Sequence, residues 1–392
     1  MPAPDISPFP LLAIEAVADG RNAWTALLLR VDGSAGDEAQ ALARLLAYPD
    51  LFAALAPLDA IVRVANSAAL TPALLQILEA QRAAPRLVFA LPARAYAEPD
   101  ALARCQALQA AGCRFMQDGE LDPALPSWLG GQLYACIPGQ PVARAPRTPG
   151  PHLAHGVADA AQQQQCREAG FDGFSGSYAL QAPTPAVPGA SGSRKHMLAL
   201  LGMLAREAEV HEIEIQLKQD PALSFQLLRL ANSAAQGLRK PVSNFGQAIM
   251  LLGRRQMQRW LQLLLYARAQ ADGLPNLLLP LAALRAAQME MLCKLQGGNA
   301  DEQDRAFMAG VFSLLDVLLG MPMGEVVAAL GLPSEVGAAL MARHGRLGHL
   351  LQLAEARAPD HEALRRAEAD PESLWRSQLQ GYHWAIQVSR NL

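Results

Sequence analysis

Over its first half this chain alternates short apolar runs of strand length with stretches that carry apolar residues every three or four positions, and then the alternation stops. Runs at residues 12–17, 26–31, 61–65, 87–91, 114–117 and 133–137 read as strands, with shorter pieces at 152–154 and 174–178. Residues 37–55, 72–81, 100–111 and 158–169 lie between the later runs and have helical spacing. Strand then helix, repeated, predicts a parallel sheet, either closed as an α/β barrel or open. Asp19-Gly20 predicts a hairpin turn after the first run. Residues 138–151 are crowded with proline and have little periodicity, so the barrel is expected to be incomplete or distorted there.

The stretch QAPTPAVPGASG at residues 181–192 has proline, glycine and serine but no hydrophobic pattern, as a linker should. We therefore expect a barrel-like domain over residues 1–185, a linker at 186–196 and an all-helical domain over 197–392. In the helical part, Asp220 is placed to cap a helix that starts at Pro221, and Leu223, Leu227, Leu228 and Leu230 give it an apolar face. Asn232-Ser233 breaks the period; Asn244 and Gln247 read as a capping box for a second helix ending at Gly253. Residues 304–319 carry a wide stripe of Phe307, Val311, Leu314, Leu315 and Leu318, which predicts a helix in the bundle centre. Asp316 beside that stripe reads either as a metal ligand or as a carboxylate that accepts hydrogen bonds from its surroundings.

With 392 residues the chain is long enough for two domains with sizeable cores. A hydrophobic fraction of 51% against 18% charged excludes a disordered chain. The net charge of −3 gives no global attraction to phosphate, so nucleic acid is not an expected partner. The one local candidate is the run Arg254-Arg255-Gln256-Met257-Gln258-Arg259-Trp260, where Arg255 and Arg259 share a helix face that could equally be a solvated surface. No apolar run approaches the roughly 20 residues of a membrane span, and MPAPDISPFP lacks the positive start of a secretory signal. Cys105, Cys113, Cys136, Cys166 and Cys293 show no metal-binding spacing and read as small buried thiols in a reducing cytoplasm, which is the expected location.

The run DPALSFQLLRLANSA, the later AIMLLG and the distant AGVFSLLD resemble the HDOD domain, a helical relative of the HD phosphohydrolases. The resemblance implies a helical bundle used for protein partnership in bacterial signalling. In the catalytic relatives an adjacent His-Asp pair helps to hold the metal; here Ser313-Leu314 stands at that step, and no His-Asp dipeptide occurs in the sequence. On this comparison Asp220, Pro221, Asn232, Ser233 and Gly253 form the HDOD signature, with capping and helix-stop roles as the structural alternative to partner contact.

WTALLLR, GCRFMQDGE and LAHGVADAAQQQQCREAGFDGFSGSYALQAP resemble, in that order, the EAL domain, a barrel that in active members linearises cyclic di-GMP. Such enzymes need acids at strand ends to hold two divalent cations. The resemblance places Thr25 at the signature glutamate and Ala90, or a neighbouring neutral residue, at the acid of the fourth strand. Asp118 is retained of an aspartate pair, with Gly119 or Gln117 as its partner position; His155 and Ala158 stand at two further acidic positions, and Ser175 at a glutamine. Asn66 is an ambiguous match to a metal-binding asparagine, and no lysine precedes Arg194. Asp118-Gly119 also reads as a turn, and His155 as a hydrogen-bonded structural residue.

The expected architecture is thus α/β plus all-α: a degenerate EAL-type TIM-like barrel followed by an HDOD helical bundle. The expected function is a catalytically inactive signalling scaffold, not an enzyme, without metal or cofactor. It would bind protein partners, with a homodimer left open, in cyclic di-GMP, stress or motility signalling. The alternative is a cyclic di-GMP phosphodiesterase or a receptor that binds cyclic di-GMP without cleaving it.

Overall fold

The computed structural model describes residues 9–32, 35–81, 84–98, 100–122, 124–129, 131–181, 198–203, 205–206, 208–209, 212–213, 215, 247, 253–267 and 274–391. The chain forms two compact units: Met1–Gln181 with Ala356–Leu379, and Ala182–Glu355 with Gln380–Leu392.

In the first unit, eight strands close a barrel in sequence order: β1 (Leu11–Asp19), β2 (Trp24–Asp32), β3 (Asp59–Arg63), β4 (Leu87–Pro92), β5 (Arg114–Asp118), β6 (Gly131–Ala135), β7 (His152–Val157) and β8 (Gly173–Gly176). From β2 to β8 each strand pairs in parallel with the next, and β1 is antiparallel to both β2 and β8. Of the two expected sheet forms, the closed one is formed. The expected interruption falls on a connection instead: residues 138–151 make no helix, yet β6 and β7 pair across them. Proline removes amide donors and fixes φ, which costs a crossover helix but leaves the flanking strands free to pair.

Strand side chains alternate between faces, so each strand contributes every second residue to the interior. Val17, Ala26, Leu28, Ile61, Val88, Ala90, Met116, Leu133 and Leu153 form one buried apolar cluster. At the β1–β2 turn, Asp19 Oδ1 accepts the amides of Arg21 and Ala23 at 2.8 and 2.9 Å, which holds the hairpin that the Asp-Gly pair predicts. Helices Pro72–Gln81, Ala101–Ala110 and Ala160–Glu168 fall on the expected segments. The segment 37–55 breaks into Ala35–Leu46 and Leu51–Ala54, because Asp50 takes a left-handed φ of 59° that no helix interior accommodates. Trp375, from the late stretch that joins this unit, stacks on Phe9 at 6.0 Å and meets Tyr48 edge-on at 5.8 Å.

The second unit is helical over all its described elements. Helix Leu278–Leu295 packs along Ala300–Phe312, and Gly310 is at their closest approach: a Cβ there would lie 2.6 Å from Ala286 Cα and 2.7 Å from Arg285 O. Asn299 and Glu302 form a capping box that starts the second of these helices. The long helix expected at 304–319 is two: it stops at Phe312, Ser313 is its C-cap, and Leu315–Leu319 follows. Phe307, Val311, Leu314 and Leu315 are buried as the stripe predicts, while Leu318 is only half-buried because the break turns its face. No helix among the described residues is long and apolar enough to cross a membrane.

Candidate functional site

Beyond the apolar layer, the next inward positions toward the C-terminal ends of the parallel strands carry polar groups. Arg63 lies two residues after Ile61, Asp118 two after Met116, and His155 two after Leu153; Glu15 lies two before Val17 on the antiparallel strand. Arg63 Nε and Nη2 reach Asp118 Oδ2 at 2.9 and 2.8 Å, with both side chains largely shielded. Ser175, 1% exposed, donates its hydroxyl to Glu15 Oε2 at 2.9 Å. His155 Nε2 is buried and makes no hydrogen bond. Burial holds the His155 imidazole below its ordinary pKa, and the positive charge of Arg63 adds to this; Asp118 and Glu15 oppose it, and Arg30 reinforces it.

A depressed histidine pKa has a defined consequence for stability. Below a pH of about 6.5 the unfolded side chain binds a proton that the folded one refuses, so the unfolded state gains and stability falls as pH falls. We expect the unfolding temperature of the protein to drop more steeply from pH 7 toward pH 5.5 than that of His155→Gln. A thermal melt series across this window checks it, and parallel profiles would contradict it.

The remaining expected positions are placed as follows. The β1–β2 register shifts between Val17 and Ala18, whose partners are Ala26 and Trp24, so Thr25 is left as the extra residue of a bulge. Its side chain is turned outward to Val17 O at 3.4 Å, and Ala26 takes the interior position. Ala90 is fully buried in the interior cluster. Gln117 faces away from the interior, donating to Leu129 O and accepting from Asp122 N, so Gly119, with φ 109°, is the neighbour that follows Asp118 into the turn. Ala158 carries a loop through its backbone: its amide donates to Gln162 Oε1 at 2.8 Å and its carbonyl accepts from Ser177 Oγ at 3.0 Å. Asn66 caps the short Ser67–Ala69 turn by accepting from Ala68 N at 2.7 Å.

A pair of divalent cations needs many oxygen ligands with compensating negative charge. Asp118 already holds a guanidinium, Ala26 and Ala90 offer no side-chain oxygen, and among the described residues no three of His, Cys, Asp and Glu are grouped to hold a metal. These residues do not fit the two-cation centre implied by the EAL resemblance.

In the helical unit, Asp220, Pro221, Asn232 and Ser233 lie outside the described residues. Gly253 is exposed, with φ 77°, and precedes the helix Arg254–Leu264. Where the HDOD comparison places a histidine in catalytic relatives, Ser313 Oγ accepts from Arg285 Nη1 at 2.9 Å and donates to Gly310 O at 2.8 Å. Arg285 also reaches Glu355 Oε1 at 3.2 Å, and Glu355 takes two further bonds of 2.8 Å from Arg343. Burial lowers the Arg285 pKa and Glu355 is the largest influence raising it. Asp316 Oδ1 accepts the Val317 amide at 2.9 Å. Arg255 and Arg259 are both bonded to Asp304 Oδ1, and Arg259 lies over the Phe307 ring at 4.7 Å, so this pair is engaged within the unit, as is Trp260 at 5% exposure.

The residues that sequence reasoning did not single out are Arg63 and Glu15 in the barrel and Arg285, Arg343 and Glu355 in the bundle. For the first two a signal existed: each stands two positions along a strand from an apolar interior residue, inside an otherwise apolar run. The bundle trio comes from two helices, Leu278–Leu295 and Gly345–Glu355, and from the residue that caps the helix Ser334–Ala342, and it has no local pattern.

The HDOD domain matches the chain over residues 196–321. A relative named cyclic di-GMP phosphodiesterase CdgJ, from Vibrio cholerae, is 32% identical over 208 residues, covering 52% of this chain and 47% of the relative. The uncharacterized protein YuxH of Bacillus subtilis is 26% identical over 242 residues, covering 59% and 58%. The chain thus spans about half the length of the curated relatives it matches. A solved structure of Klebsiella pneumoniae BlrP1 with manganese and cyclic di-GMP aligns at a TM-score of 0.35 and 13% identity, over 45% of this chain and 56% of that one. The expected architecture of a barrel followed by a helical region with an HDOD match is found. The expectation that the chain is not an enzyme is corrected: a relative at 32% identity carries the name of a phosphodiesterase, which places catalysis among this chain's candidate activities, and the side chains lost at expected positions do not by themselves decide against it.

Proposed function

We propose that this protein is a signal transducer of cyclic di-GMP-linked circuits in bacteria, in which an EAL-type barrel is joined to an HDOD helical unit that binds a protein partner. One observation carries the reading: the HDOD match falls on the helical part of a chain whose other part is a closed, largely parallel barrel. The likeness to the Vibrio cholerae phosphodiesterase supports the cyclic di-GMP link. Deleting and overproducing the protein in its native bacterium, while measuring cyclic di-GMP and motility, tests it. We expect the output to move in opposite directions in the two strains and the HDOD unit to be required for the change; an output unaffected by either manipulation overturns the proposal.

The name borne by that relative favours a second reading, in which the barrel acts on cyclic di-GMP. Asp118, the carboxylate at the end of β5, is the residue to probe. On this reading purified protein converts cyclic di-GMP to the linear dinucleotide; wild-type protein that leaves cyclic di-GMP intact, with or without added Mg²⁺ or Mn²⁺, overturns it, and Asp118→Ala tests whether that carboxylate takes part.

A further inference from the structure

Two thiols brought together from distant parts of the first unit are unused by the groups described above. Cys136 directly follows β6, and Cys166 is on the helix Ala160–Glu168 that follows β7. Their sulfurs are 3.5 Å apart across 30 residues of sequence. The Cys136 amide donates to His155 O at 2.8 Å, which ties this residue to β7. Cys136 is 8% exposed and Cys166 is fully buried, while the next residue, Ile137, is 51% exposed. A small reagent therefore meets the pair from the Cys136 side.

We propose that Cys136 and Cys166 form a reversible disulfide when the protein meets a hydroperoxide, making the contact between β6 and the helix Ala160–Glu168 a redox modification site. A disulfide requires the sulfurs to close from contact to about 2.0 Å, roughly 1.5 Å of combined movement. The chain beyond Cys136 runs into the proline-rich, helix-free residues 138–151, so no regular element continues from that side to resist the shift.

The thiols also differ from their neighbours in acidity. Cys105 and Cys113 are each pushed up to about 11 by burial and stay protonated. In the Cys136–Cys166 pair either sulfur can donate the shared hydrogen bond, which favours one thiolate while the other thiol holds its proton more tightly. The first proton of the pair thus leaves more readily than that of an isolated buried thiol.

In the reaction the pair, once it has lost its first proton, attacks one peroxide oxygen through the sulfur on the accessible side, that of Cys136, and the O–O bond breaks. For hydrogen peroxide the departing hydroxide takes a proton from solvent as water, leaving Cys136 as a sulfenic acid. The Cys166 sulfur then attacks the sulfenic sulfur; the S–O bond breaks, and hydroxide leaves as water with the Cys166 proton. Two thiols have lost two electrons and the peroxide has gained them. A dithiol reductant reverses the bond by exchange.

Exposure of the full-length protein to hydrogen peroxide, followed by alkylation, trypsin and mass spectrometry, tests this. Arg144 and Arg147 lie between the two cysteines and put them on separate tryptic peptides, so the bond appears as a linked pair two hydrogens lighter than their sum. We expect that pair to dominate, Cys105, Cys113 and Cys293 to remain alkylated, and dithiothreitol to restore both free thiols. Cys136→Ser and Cys166→Ser should each abolish the linked pair, with Cys136→Ala and Cys166→Ala as alternatives if a buried hydroxyl impairs folding. Full alkylation of both cysteines after peroxide, oxidation to sulfinic acid without a bond, or linkage only between molecules would each overturn the proposal. The wild-type measurement decides this whether or not the variants fold.

Discussion

Gly310→Ala lowers the unfolding temperature of the protein, against the usual effect of adding a methyl group to a helical glycine. In an open helix the change favours the fold by up to about 1 kcal/mol, because alanine loses less backbone freedom than glycine. At Gly310 the added carbon meets Ala286 Cα at 2.6 Å, Ala286 N at 2.7 Å and Arg285 O at 2.7 Å. These are backbone atoms of a helix buried on most of its surface, and no side-chain rotation relieves them. The helices must separate, which opens the packing around Met289, Val311 and Phe312, all fully buried. We expect the repulsion to exceed the propensity gain and the net loss to be about 2–4 kcal/mol, or roughly 5–15 °C in the transition of this unit. Gly324, exposed in the helix Met323–Leu330 with nothing within 4 Å of its would-be Cβ, is the matched control; Gly324→Ala should leave the transition unchanged or raise it slightly. Differential scanning calorimetry of the two variants reads the contrast, and a Gly310→Ala protein as stable as the parent would refute the close approach.

The second large effect is expected at Glu355. Its two oxygens hold the guanidinium groups of Arg285 and Arg343, and Arg285 is shielded enough for burial to depress its pKa. Removing one partner of a shielded ion pair leaves uncompensated charge, typically at about 3–5 kcal/mol. The side chains here keep 12–27% exposure, so for Glu355→Ala we expect about 2–4 kcal/mol, toward the lower end of that range. Glu355→Gln, which retains hydrogen-bond acceptance without charge, should fall between. The double variant Glu355→Ala with Arg285→Met should lose less than the sum of the two single changes, because the second change removes a charge that the first leaves stranded. Chemical denaturation of the four proteins completes the cycle; strict additivity would show that Arg285 and Glu355 do not depend on one another.

How far the fold could be read from the sequence depended on how local each signal was. The first six strands were visible as apolar runs, and the last two only as short pieces at 152–154 and 174–178. Closure was not, because it rests on Ala18 and Asp19 of β1 meeting Phe174 and Gly173 of β8, a pairing that no local window contains. Thr25 shows the limit of motif matching in another way. A period of two from the interior Leu28 leads to Ala26, so the motif match to Thr25 stood one residue off the inward position, and the bulge opposite Val17 and Ala18 leaves Thr25 without a partner on β1. The break at Ser313 was hidden for a related reason: the apolar stripe continues through Leu314 and Leu315 while the backbone does not. Among the candidate residues, Asp118, His155 and Ser175 were found from motifs, and the structure assigns the first two to the inward layer and gives the third a bond to Glu15. Their counterparts Arg63 and Glu15 each stood as a polar position inside an apolar run, but pairing Arg63 with Asp118 needed the order β3, β4, β5, and pairing Glu15 with Ser175 needed the closure of β8 on β1.

The antiparallel first strand has a consequence for how a partner can approach the first unit. β1 pairs with β2 along most of its length but with β8 only through Ala18–Phe174 and Asp19–Gly173, the shortest ladder of the barrel. An extended peptide that adds itself to the sheet would therefore have the fewest native pairs to displace at this seam. At the longer ladders, recognition relies on side-chain chemistry, at the rim of the loops or on the outward faces of the helices.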